Sequence, residues 1–133
     1  MSTPFDLTGR TAAVTGGGRG LGLGISSALL AAGADVIVLG RTGMPAELID
    51  LASSLGRRAA FVALDLADGD AIAATSAVVL AEHRVDILVN NAGTQDRYPA
   101  VDFPLAAWDA VLDINLRGVP AVPAVRPADA RAR

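Results

Sequence analysis

Thr11-Ala-Ala-Val-Thr15 is a short apolar run that passes directly into Thr15-Gly-Gly-Gly-Arg-Gly-Leu-Gly22, and helical spacing begins at Gly20. A strand that turns through glycines into a helix is suited to holding an anion. Glycine lets the backbone bend sharply and lets a pyrophosphate come close, while the helix N-terminus offers free N–H groups and the positive end of its dipole. Two well-known phosphate loops are excluded by inspection. A Walker A loop needs Lys, and all 11 basic residues of this chain are Arg. The spacing G-x-G-x-x-G is absent too. The pattern is T-G-x-x-x-G-x-G, with Gly16, Gly20 and Gly22 as its glycines and Gly18 and Arg19 among the residues between. The context favours a cofactor turn over an unliganded glycine loop.

Short apolar runs and helix-period stretches alternate as far as Gly118, the pattern of βαβ units. In the first helix, Leu21, Ile25, Ala28, Leu29 and Ala32 are the expected core face, and Gly33 stands where a terminating glycine belongs. Asp35 to Leu39 is apolar and mostly β-branched after its first residue, as in a strand buried on both faces. A second helix is expected from near Pro45, with Leu48, Leu51, Ala52 and Leu55 inward and Gly56 at its end. Arg58 to Leu64 reads as a third strand, Asp68 to about Arg84 as a third helix, and Asp86 to Asn90 as a fourth strand. A loop from Gly93 to Pro104 leads to a last helix, Leu105 to Arg117, with Trp108, Val111, Leu112 and Leu116 on one face. These elements predict an α/β fold, a doubly wound parallel sheet with strand order 3-2-1-4 that stops after about four strands. The fourth strand would then be an open, apolar edge, through which self-association is possible.

Composition limits the partners. Hydrophobic residues make up 52% of the 133, which is ample for a core and argues against intrinsic disorder. A net charge of −3 and a pI near 4.9 disfavour a general nucleic-acid or anionic-membrane binder. There is no Cys, so no disulfide or thiolate metal site, and no metal ligand set is expected. MSTPFDLTGR lacks the basic and apolar regions of a signal peptide, and no apolar run reaches the ~18 residues of a membrane span. The expectation is a soluble cytoplasmic protein.

Three further positions lie at the ends of the expected strands. Arg41 follows the second strand where a ribose-binding carboxylate would stand, and with Arg19 it suits a 2′-phosphate, which favours NADP over NAD. The alternative is that both are solvated. Asp65 ends the third strand and is either an acceptor for an adenine amino group or a helix N-terminal residue. Asn90-Asn91-Ala92-Gly93 ends the fourth strand. There an Asn side chain can tie loops together and the small pair leaves room for a ring; a plain turn is the alternative.

Taken in order and spacing, Thr15–Gly22, Asp65-Leu66, Asn90–Gly93 and Asn115 resemble the short-chain dehydrogenase/reductase family over about residues 5–118. The segment Pro99 to Asn115 also looks like the sugar-acid branch, near 2-deoxy-D-gluconate 3-dehydrogenases and gluconate 5-dehydrogenases. The resemblance implies a Rossmann-like fold and hydride transfer between a nicotinamide and a secondary alcohol or ketone. It implies that Gly16, Gly18, Arg19, Gly20, Leu21 and Gly22 hold the pyrophosphate, with Thr15 also a cofactor-binding residue, that Asp65 and Leu66 contact adenine, and that Asn91, Ala92 and Gly93 line the nicotinamide side. It also implies that Asn115, expected on the inward face with Leu116, holds a water in a proton relay with a Tyr and a Lys. A structural Asn bonding a neighbouring backbone group is the alternative.

The rest of that relay is missing. The family uses a Ser and a later Tyr-x-x-x-Lys pair, in which the Lys brings a phenol of pKa ~10 into working range. This chain has no Lys, and its one Tyr, Tyr98, is followed four residues on by Asp102. His83, near a helix end, is expected to be solvated and gives no substitute. Val119 to Arg133 carries three Pro and three Arg and breaks the pattern at Gly118. The expected organisation is therefore an NAD(P)-binding portion over 1–118 and a non-homologous, disordered tail over 119–133. The chain is expected to be a truncated or frameshifted product, inactive alone. The alternatives are a non-catalytic dinucleotide-binding module and a non-functional fragment.

Overall fold

The computed structural model describes residues 4–118, so the expected tail over 119–133 lies outside the described residues. The chain runs β1 (Thr11–Thr15), α1 (Gly20–Ala31), β2 (Asp35–Gly40), α2 (Ala46–Ser54), β3 (Ala59–Ala63), α3 (Gly69–Glu82), β4 (Ile87–Val89) and α4 (Leu105–Leu112). A 3₁₀ turn at Ala100–Asp102 interrupts the expected loop, and a π-helical turn, Asp113–Arg117, continues α4. All four strands are parallel in the order β3-β2-β1-β4, as expected. Among the described residues no helix is long and apolar enough to cross a membrane.

Strand β2 explains its own composition. Val36 and Val38 pack on one face with Val14, Leu30, Leu48 and Ala52, under α1 and α2. Ile37 and Leu39 pack on the other with Ala13, Leu64, Ile72 and Val79, under α3. Side chains alternate at period two and both faces are covered, so nearly every residue must be apolar. The amino ends of the strands are held by carboxylates. Asp86 accepts from the backbone N–H of Thr11 at 3.0 Å, and Asp35 from that of Arg58 at 2.9 Å. Partial burial pushes both carboxyls up, but these N–H bonds and the neighbouring guanidinium groups outweigh it and leave both below the ordinary Asp range.

Several helix faces differ from the periodicity. In α1 the buried residues are Gly22, Ser26 and Leu30, whereas Leu21 is 77% exposed and Ala28 is also exposed. Gly22 packs directly on the Gly16 carbonyl, which turns the 22–26–30 line inward; Leu21, one residue earlier, points about 100° away. Pro45 caps α2 and does not open it, Leu48 and Ala52 are buried as expected, and Leu55 falls beyond the helix, 41% exposed. The last helix departs furthest. No residue of α4 or its π turn is buried, Trp108 and Leu116 are 54% and 63% exposed, and the main neighbour of α4 is the π turn itself. Trp108 meets Phe103 edge-on at 6.0 Å and Phe103 meets Tyr98 at 5.3 Å, an aromatic string along the loop in place of core packing.

Candidate functional site

The carboxyl ends of the four strands open onto one cleft of about 350 Å³, formed by the glycine turn, the segment after β2, the start of the β3–α3 connection and the loop after β4. Open parallel sheets bind ligands at this edge. Of the residues expected to bind cofactor or take part in the relay, all line it except Thr15 and Asn115. Thr42, Gly43, Phe61, Thr94 and Ile114 line it as well, and the motifs gave no sign of them.

The turn is shaped by what glycine lacks. Gly16 and Gly20 have φ values of +64° and +52°, a left-handed region that L side chains rarely adopt. At Gly22 a Cβ would collide with the Gly16 carbonyl and stand 2.5 Å from Asn91 Nδ2. Arg19 is the N-cap of α1 in extended geometry, no side chain caps the helix, and its first turn holds no acidic residue. The first intrahelical bond there is Leu23 N–H to Arg19 O, at 3.1 Å. Gly20, Leu21 and Gly22 therefore have N–H groups with no acceptor within the helix, at the wall of the cleft.

Thr15 and Asn91 hold this turn against β4. Thr15 is 2% exposed and does not line the cleft. Its hydroxyl accepts from the backbone N–H groups of Asn91 and Ala92, both at 3.0 Å, and donates to Val89 O at 3.4 Å. The Asn91 side chain donates to Thr15 O at 3.1 Å and Gly16 O at 3.2 Å, so this Asn ties loops together and does more than close a plain turn. Ser26, which sequence reasoning missed, donates from within α1 to Gly17 O at 2.9 Å. A small polar residue on an apolar helix face was the available signal.

On the far side, Asp65 is exposed on the cleft and its carboxylate accepts from Ala67 N–H at 3.0 Å. It does not cap α3, since Asp68 does so through Ala71 N–H. Arg19 and Arg41 are exposed at the cleft. Asn115 is exposed, contrary to the expected inward face. The π turn carries it behind the loop after β4, where its amide accepts from Thr94 N–H at 2.7 Å and donates to Thr94 O at 2.9 Å. Both polar ends of the side chain are thus satisfied by one backbone residue. Tyr98 lies outside the cleft, and half-buried His83 ends α3, beside a second cavity that shares no lining residue with the first.

A family profile described as short chain dehydrogenase matches residues 10–125. The chain belongs to the short-chain dehydrogenase family. The match runs past Gly118, where the compositional break falls. Among curated relatives in the family, the 2-dehydro-3-deoxy-D-gluconate 5-dehydrogenase of Bacillus subtilis is 42% identical over 115 residues, 86% of this chain and 45% of that protein. Among solved family structures, an NAD(P)-dependent gluconate 5-dehydrogenase assignment from Beutenbergia cavernae, with NADP at low occupancy, matches with a TM-score of 0.82. It is 42% identical over 90% of this chain and 48% of that one. A 2-deoxy-D-gluconate 3-dehydrogenase assignment from Agrobacterium tumefaciens with bound NADP has a TM-score of 0.78 and 38% identity, over 90% of this chain and 47% of that one. The chain spans about half the length of the relatives it matches. Both the Rossmann-like sheet and the sugar-acid branch suggested by Pro99–Asn115 agree with these likenesses.

Proposed function

We propose that the cleft binds NADP in preference to NAD, and that the chain supplies the cofactor half of a site for hydride transfer between a nicotinamide and a secondary alcohol or ketone of the sugar-acid class. One observation carries the reading: the Gly16–Gly22 contact, tolerable only without a Cβ, sets the first turn of α1, whose N–H groups have no acceptor within the helix, at the wall of the cleft. In this assignment the turn from Gly16 to Gly22 holds the pyrophosphate, and Thr15 holds the turn from beneath. Asp65 and Leu66 bound the adenine, and Arg19 and Arg41 pair with a 2′-phosphate through their guanidinium forks. Asn91, Ala92 and Gly93 flank the nicotinamide, which when bound supplies the hydride chemistry.

The relay role of Asn115 requires a Tyr and a Lys. With no Lys in the chain and Asp102 four residues after its one Tyr, cofactor binding without alcohol turnover is the expected behaviour of these 133 residues. That behaviour is also the second reading, a non-catalytic dinucleotide-binding module, and the same absence of Lys favours it. Calorimetric titration of the full chain with NADP and NAD tests the assignment. Saturable binding with NADP the tighter ligand is expected. Binding of neither overturns the cofactor reading, tighter NAD overturns the roles of Arg19 and Arg41, and oxidation of any sugar acid overturns the account of the missing relay.

A further inference from the structure

Resting on the dinucleotide reading above, we infer that Ser26 is a positioning residue for the pyrophosphate: through its bond to Gly17 O it aims the Gly18 N–H at the cleft. Ser26 lies in the second turn of α1 and is fully buried, at 0% exposure. It is not among the residues that line the cleft, so its action on a ligand is indirect. Its hydroxyl donates to Gly17 O at 2.9 Å, a bond that spans nine residues and joins the helix to the glycine turn from within.

The peptide plane gives this bond its consequence. The Gly17 carbonyl and the Gly18 N–H belong to one trans peptide unit and point in opposite directions. A carbonyl tied inward toward Ser26 therefore holds that N–H outward, and Gly18 is a cleft residue. The preceding carbonyl, Gly16 O, is tied by Asn91 at 3.2 Å. Two successive peptide planes of a glycine segment are thus fixed by two side chains, one from α1 and one from the end of β4. Glycine alone would leave them free to rotate.

The position has little room for adjustment. A Cβ on Gly17 would lie 2.7 Å from Ser26 Oγ and 3.0 Å from Val14 Cβ, so the turn is packed down onto both. Removing the Ser26 hydroxyl leaves a buried carbonyl without its donor. The peptide unit can then recover a partner only by turning toward solvent, which carries the Gly18 N–H away from its aim.

The experiment compares unsubstituted chain, Ser26→Ala and Ser26→Cys in titrations with NADP and with adenosine 2′-monophosphate, which has the adenine and 2′-phosphate but no pyrophosphate. Ser26→Ala is expected to weaken NADP by about fivefold or more, the worth of one hydrogen bond, and to leave adenosine 2′-monophosphate unchanged. Ser26→Cys keeps much of the volume and a weak donor, so an intermediate loss confined to NADP is expected. It also serves as the measured variant if Ser26→Ala does not fold. Unchanged NADP affinity, or equal losses for both ligands, overturns the inference and leaves the cofactor assignment standing. Absence of NADP binding by the unsubstituted chain overturns both.

Discussion

Gly22 lies against the carbonyl of Gly16 at a distance that admits no side chain, so the first turn of α1 and the end of β1 share one backbone contact. This contact sets how near the helix terminus comes to the cleft. Gly22→Ala must push the helix away or twist the turn, and overpacking of this kind costs about 1–3 kcal/mol. The expected outcome is a destabilised chain whose NADP affinity falls at least about tenfold. Denaturant unfolding and calorimetric titration measure the two effects.

Thr15 offers a second test, because its one hydroxyl serves two backbone donors, the N–H groups of Asn91 and Ala92. Thr15→Val keeps the shape and strands both. A loss of about 1–3 kcal/mol in unfolding free energy is expected. Thr15→Ser retains the oxygen and should lose less. Equal stability of the two variants in urea would show that the hydroxyl does not hold the loop.

Arg41 should discriminate between the cofactors. It is exposed at the cleft, so its substitution leaves the core intact. Arg41→Ala is expected to weaken NADP by about tenfold, the worth of a charged hydrogen bond, while NAD affinity stays nearly constant. The ratio of the two dissociation constants is the quantity to measure.

Asp35 and Asp86 set an acid limit on the fold. Both carboxyls titrate below the ordinary Asp range in the folded chain, so the folded state binds protons less readily than the unfolded one. Their contribution is fully present above the unfolded Asp value, about pH 4, and is lost as the pH falls through the lower folded values. Stability measured by urea unfolding should fall as the pH drops below about 4. Asp86→Asn should flatten that slope while lowering stability at neutral pH, since it gives up the ion pairs with Arg10 and Arg84.

The sheet was legible because its signals are local. The β-branched run of β2 and the glycines after β1 state their roles within a few residues, and the strand order follows from their alternation with helices. Most of the cleft followed as well, since a parallel sheet brings every strand's carboxyl end to one edge. What could not be read depended on distant partners. The face of α1 is set by Gly22 against Gly16, a contact periodicity cannot weigh because glycine has no hydrophobic signal. Thr15 reads as a cofactor-binding residue, and nothing local shows that its hydroxyl meets the backbone of residues 91 and 92. Asn115 reads as buried until the π turn swings it onto Thr94. Trp108 and Leu116 read as core because they are large and apolar, yet both are more than half exposed.

The Asn91 clamp also imposes an order of events on a chain that is being synthesised. The glycine turn emerges early, but the amide that ties down Gly16 O comes 75 residues later. Central strand β1 likewise acquires its β4 neighbour only when residues 87–89 arrive. Loop closure over that span must precede the contacts that reward it, which slows the last step of sheet assembly. Until then the nascent chain holds a glycine turn whose two walls have not met, and a ligand that prefers the closed turn would draw β1 and β4 together as it binds.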